Sequence, residues 1–99
     1  MRYWLTGRAD SGYRLIIRAP WAHRVEVTGD VTDWVPVDCD QGRDGNWHVP
    51  RVVLPGVHRI MMRIDGGAWT APPGAPRAVS EFGDIVGVIV TPQAVSGTR

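Results

Sequence analysis

The residues best equipped for recognition chemistry surround one stretch, Leu54 to Trp69, with the sequence LPGVHRIMMRIDGGAW. Trp69 stands just after Asp65-Gly66-Gly67, and the segment before that turn carries Arg59 and Arg63 on one parity. An indole is a wide, flat, apolar plate with few torsions to fix, and a guanidinium is a planar fork of N–H donors. Side by side they suit a ligand with an apolar face and a polar rim. They do not suit bond breaking. There is no nucleophile elbow and no phosphate loop, and the acids fall on turns or scattered strand positions rather than as an acid–base pair. His23 and His48 have no carboxylate or histidine at ligand spacing, so neither a metal nor a cofactor is expected. The expectation is a binding protein and not an enzyme.

The elements that position these residues follow from periodicity. His58, Ile60, Met62 and Ile64 share one parity and Val57, Arg59, Met61 and Arg63 the other, the alternation of a strand with one wet face. Asp65-Gly66-Gly67 tolerates positive φ and predicts a hairpin reversal, with Asp65 shaping it. His58 falls on the inward parity and reads as a satisfied core histidine. Tyr13 to Arg18 predicts a strand with Leu15 and Ile17 inside. Arg24 to Gly29 predicts another, with Val25 and Val27 inside and Arg24, Glu26 and Thr28 outside. Gly29-Asp30 opens a loop that reaches Trp34, where Asp30 and Asp33 are expected to satisfy turn amides.

Val35, Val37 and Cys39 suggest a short strand, Asp40 to Asn46 a turn, and Trp47 to Leu54 a strand that Pro50 confines to an edge or a bulge. Ala71-Pro72-Pro73-Gly74-Ala75-Pro76 reads as a stiff surface connection. Ile85 to Val90 is apolar on both parities, as in a strand covered on both sides. Residues 1–12 are either an extra strand or a mobile arm, 13–92 a single β-sandwich, and 93–99 a flexible tail.

Composition agrees. The 99 residues include 12 glycines and 8 prolines, favouring short strands and tight turns, so the expected fold is an all-β, immunoglobulin-like antiparallel sandwich of about seven strands. The net charge of +1, with basic residues scattered along the chain, makes no case for nucleic acid or membrane. All basic residues but the histidines are arginine. The single Cys39, on an apolar parity, allows no internal disulfide and reads as inert. No leader-like or membrane-spanning run is evident, and a soluble, cytoplasmic protein is expected.

Several short motifs, in order, add a resemblance. Gly29-Asp30-Val31-Thr32-Asp33-Trp34, then Gly45-Asn46-Trp47, then Leu54 to Gly66, then Trp69 and Phe82-Gly83 resemble the family 48 carbohydrate-binding modules. That family includes the glycogen-binding domain of the AMP-activated protein kinase β subunit and the early-set modules of branching and debranching enzymes. The resemblance covers about residues 13 to 91. It implies an immunoglobulin-like sandwich that binds α-1,4-linked glucan (glycogen, starch or maltooligosaccharide) without catalysis, with a glycogen-metabolising enzyme or kinase as a further partner. Trp34 and Trp69 match the family's sugar-stacking tryptophans. Phe82 falls where kinase members have a leucine that reaches around the glucan, and Asp84 where they have a threonine. The family's lysine aligns with Met61 and its asparagine with Val86, so two polar contacts are replaced. Arg63, two residues beyond Met61 on the same face, is expected to take over the donor role. Trp4, Trp21 and Trp47 are expected to be structural. Two indole platforms and a few exposed hydrogen bonds predict roughly −4 to −6 kcal/mol of binding, between millimolar and tens of micromolar. With its more apolar face, the same fold also fits a protein-interaction or scaffolding module that has lost sugar binding.

Overall fold

The computed structural model describes residues 1–92; the segment 93–99, expected as a tail, lies outside the described residues. The strands in order are β1 (Arg2–Arg8), β2 (Gly12–Arg18), β3 (Val25–Gly29), β4 (Val37–Asp38), β5 (Asp40–Gln41), β6 (Trp47–His48), β7 (Gly56–Ile64), β8 (Arg77–Val79) and β9 (Ile85–Thr91). A single turn of 3₁₀ helix, Asp30–Thr32, follows β3. Two sheets form, β1-β2-β6-β5 and β4-β3-β7-β9-β8, and every strand pair is antiparallel. The fold is an all-β sandwich.

Its interior is the set of inward parities read from the sequence. Leu15 and Ile17 of β2 meet Val25 and Val27 of β3 and Ile60 and Met62 of β7, with Trp47, Val49, Val53 and Ile89 completing the cluster. Burial of such side chains contributes on the order of 1.5–3 kcal/mol each. Trp47 also donates its indole N–H to the Ala19 carbonyl at 3.2 Å. The chain passes from one sheet to the other at Cys39, whose amide donates to the Val25 carbonyl at 2.8 Å. Burial, with Asp40, Asp38 and Glu26 nearby, pushes its thiol up to about 12. Such a thiol carries almost no thiolate at neutral pH.

Nine strands lie among the described residues where about seven are expected, because Asp40–Gln41, expected within a turn, and Arg77–Val79 also pair. Pairing along Trp47 to Leu54 lapses at Pro50, which has no N–H to give, and resumes as a bridge between Val53 and Tyr13. Asp40 and Gln41 belong to a strand, so the turn shrinks to Gly42–Asn46, closed from the Gly42 amide to the Asn46 carbonyl at 2.9 Å. On β9 only the middle is covered from both sides; Ile85 and Val90 at the ends are exposed. The outward parity of β3 is not wet, since Glu26 and Thr28 are both buried.

The proline-rich stretch is the largest departure. Pro72 is fully buried, and Ala71 and Ala75 are nearly so. The reason is Gly87 on β9: a Cβ there would stand 2.5 Å from Pro72 Cδ and 3.3 Å from Ala75 Cβ. A missing side chain leaves a slot, and Pro72 and Ala75 fill it, while Pro76 stays exposed. No helix of the described residues is long and apolar enough to cross a membrane.

Candidate functional site

The outer face of the five-stranded sheet carries a groove of about 850 Å³. Its floor follows from strand register. Thr28 of β3 lies opposite Met61 of β7, and Val86 of β9 continues the row. Its walls come from connections: Trp34 and Pro36 after the 3₁₀ turn, Trp69 after the hairpin, and Phe82 and Asp84 between β8 and β9. A smaller hollow of about 360 Å³ shares Met61, Trp69 and Asp84 and leads on to Arg77.

Trp34 is held out of the interior by its backbone. Asp33 and Trp34 have φ of 53° and 60°, two consecutive non-glycine residues in the left-handed region. That conformation costs roughly 1–2 kcal/mol per residue and persists only where the surroundings impose it. They do. The Trp34 amide donates to the Gly29 carbonyl at 2.8 Å, and the Thr32 hydroxyl bonds both the amide and the carbonyl of Gly29. Asp30 ties the loop to β7: one carboxylate oxygen meets His58 Nδ1 at 2.8 Å and the other accepts from the Arg59 amide at 3.0 Å. Asp30 thus serves a neighbouring strand rather than its own turn. His58 is satisfied on both nitrogens, with Nε2 also 2.7 Å from the Leu54 carbonyl. The outcome is a tryptophan 47% exposed on the rim of the groove.

Trp69 is positioned by the hairpin. Asp65 and Gly66 have φ of 51° and 73°, and the Gly67 amide closes on the Ile64 carbonyl at 2.9 Å. Two positive φ values in a two-residue reversal are the geometry that Asp-Gly favours. The Asp65 carboxylate accepts from the His23 and Arg24 amides at 2.7 Å each, which lowers its pKa and fastens the turn to the start of β3. Paired hydrogen bonds between Thr70 and Met62 then bring the chain back across β7.

Arg63 stands elsewhere than on the groove lining. Its guanidinium lies 4.5 Å from the centre of the Trp69 ring. Its Nε and Nη2 donate to Glu26 at 3.0 and 2.8 Å. The Glu26 side chain is only 6% exposed, and the hydrogen bond from Arg63 is the chief cause of its lowered pKa. Arg24 approaches Glu26 at 3.5 Å and pairs with Asp38 at 2.7 Å. Arg63 therefore supports an indole with two arms of its fork, Nε and Nη2, engaged by Glu26.

Of the six residues picked from sequence, Trp34, Trp69, Met61, Phe82 and Asp84 line the groove, and Arg63 braces Trp69 from outside it. Phe82 is 83% exposed on a turn organised by Ser80, whose hydroxyl accepts from the amides of Phe82 and Asp84. Arg59, noted beside Arg63 on the wet parity but not picked, lines the groove as well, as do Thr28, Pro36, Val79, Ser80 and Glu81, which the sequence does not single out. Thr28 matters most, because its hydroxyl is the one buried side-chain polar atom among the described residues left without a hydrogen-bond partner. Its only sequence signal was the alternation of β3, and seeing its place needed the register with β7.

Trp21, expected to be structural, is 55% exposed, and Trp4 lies on the outer face of the four-stranded sheet rather than in the core. Among the described residues no group of three or more His, Cys, Asp or Glu comes together to hold a metal. The arrangement can stack, hydrogen-bond and exclude water. The chain matches no protein-family model and no curated protein.

Proposed function

We propose that this chain is a non-catalytic α-glucan-binding module whose groove stacks glucose rings on Trp34 and Trp69. The observation that carries the reading is the convergence of these tryptophans, one from a strained loop and one from a hairpin, on one groove. A glucose ring offers axial C–H groups on its face and hydroxyls on its rim. The indoles serve the face. Arg59, Glu81 and Asp84 on its lining are polar groups available to the rim. The motif resemblance to family 48 modules supports the same ligand. Each stacking platform contributes about 1 kcal/mol or slightly more, which suits docking on a polymer better than capture of free sugar. Isothermal titration with maltoheptaose or β-cyclodextrin tests the reading: binding at millimolar to tens of micromolar sugar is expected, lost in Trp34→Ala and Trp69→Ala. No heat from the parent protein at millimolar sugar would refute it.

A second reading has its own support. Met61 and Val86 make the groove floor apolar, and Phe82, Val79 and Ile85 are exposed around it. Such a face also fits protein contact. A dimer by light scattering in which Trp69 is shielded from acrylamide quenching would favour this reading over sugar.

A further inference from the structure

We propose that the outer face and free edge of the β1–β2 ribbon form a docking surface for an acidic, extended peptide, which adds as a strand along β1. The four-stranded sheet begins with β1, a seven-residue strand with no neighbour on its outer side among the described residues. An edge of this kind carries unpaired N–H and C=O groups ready to bond another chain. The register gathers arginines that look scattered in the sequence. Arg2 lies opposite Arg18, Thr6 opposite Arg14, and Trp4 opposite Ile16. Directly opposed residues and residues two apart share a face, so Arg2, Arg14 and Arg18 surround Trp4 and Ile16.

The charges there are not balanced. Residues 1–18 hold four arginines and one acid, Asp10, which pairs with Arg8 at 3.8 Å. Among the described residues no carboxylate comes within ion-pair reach of Arg2, Arg14 or Arg18, whereas Arg24 and Arg63 are both paired. Opposed like charges lower the stability of a strand pair. The arrangement makes sense when the missing carboxylates arrive from outside.

The occupant follows from the layout. A second copy is disfavoured, because antiparallel self-pairing about Leu5 sets Arg2 against Arg8 of the other copy. Nucleic acid is disfavoured because the Arg2 guanidinium already lies over the Trp4 ring, 5.4 Å from its centre, where a base would stack. An acidic strand meets both needs: main-chain bonds to the edge and carboxylates for the guanidiniums. Running antiparallel to β1, it places an acid opposite Arg8, an apolar residue opposite Trp4 and an acid opposite Arg2.

The test is fluorescence anisotropy of the whole protein with a labelled heptapeptide, glutamate at both ends, valine at its fifth position and threonine elsewhere. Binding is expected to weaken as salt rises. It should fall about tenfold in the Arg14→Glu/Arg18→Glu variant, stay unchanged in Trp69→Ala, and vanish for the same peptide N-methylated throughout. Arg18→Glu alone places an opposite charge across from Arg2, so its melting midpoint should hold or rise while peptide binding drops. Equal binding of the N-methylated peptide, or of the double variant, would overturn the proposal. So would tighter binding of oligothymidine or of phosphatidylserine vesicles than of the peptide, or no peptide binding at low salt.

Discussion

Each of the two sheets carries a tryptophan with an arginine stacked on it, and the two stacks are built differently. On the five-stranded sheet the Arg63 guanidinium stands 4.5 Å from the Trp69 ring; on the four-stranded sheet Arg2 stands 5.4 Å from Trp4. Arg63 is clamped by a two-pronged bond to the buried Glu26, itself approached by Arg24. Arg2 has no carboxylate at all among the described residues. The same pair of side chains therefore makes a fixed plate in one place and a loose one in the other. What differs is a buried carboxylate, Glu26, which stands directly across the strand pair from Arg63 and has no counterpart at Arg2 among the described residues.

That contrast can be broken most forcefully at its root. Glu26→Ala leaves Arg63 and Arg24 without their shared acceptor, and a loss of about 2–3 kcal/mol in urea-unfolding stability is expected. Arg2→Ala removes an exposed cation–π contact worth about 0.5–1 kcal/mol and relieves the opposition of Arg2 to Arg18, so its net loss is smaller than that. Equal losses for the two variants would mean that the clamp adds nothing. Next in size, Trp69→Ala should cost about 1 kcal/mol or slightly more of maltoheptaose affinity by calorimetry, and Trp4→Ala none. A matching loss in Trp4→Ala would dissolve the distinction between plates.

Acid offers a subtler probe. Glu26 and Asp65 have pKa values below those of free carboxyls, through Arg63 and through the Arg24 and His23 amides. A depressed folded pKa gives stability that is complete above the unfolded value, about 4 for these groups, and is lost as pH falls through the folded one. Melting midpoints should thus decline below about pH 4. Glu26→Gln should flatten that decline and Arg2→Ala should leave it intact. The smallest effect is expected from Arg63→Lys, which keeps the charge but loses the fork. Glucan affinity should fall about threefold with the fold intact, through a less firmly held indole.

What the sequence made legible was local. Alternation along Gly56–Ile64 gave the central strand and its inward residues, and Asp65-Gly66 gave its reversal. The parity of Leu15, Ile17, Val25 and Val27 gave the core. Hidden from view was everything set by register or by a neighbour's missing side chain. Arg63 finds Glu26 because those two positions are paired across β3 and β7, which periodicity alone does not align. Arg2 meets Arg18 only once β1 folds back on β2. The prolines at 72–76 looked like surface until Gly87 supplied a slot for Pro72. Trp34 was picked by motif, but the left-handed backbone that turns it outward is a property of the folded loop.

The guanidinium beneath Trp69 has one more consequence. An indole with a cation seated on one side has a single side left for anything else. On the proposed reading, a glucan laid on Trp69 meets the one indole face that Arg63 leaves open, with Trp34 and Phe82 on the other walls of the groove.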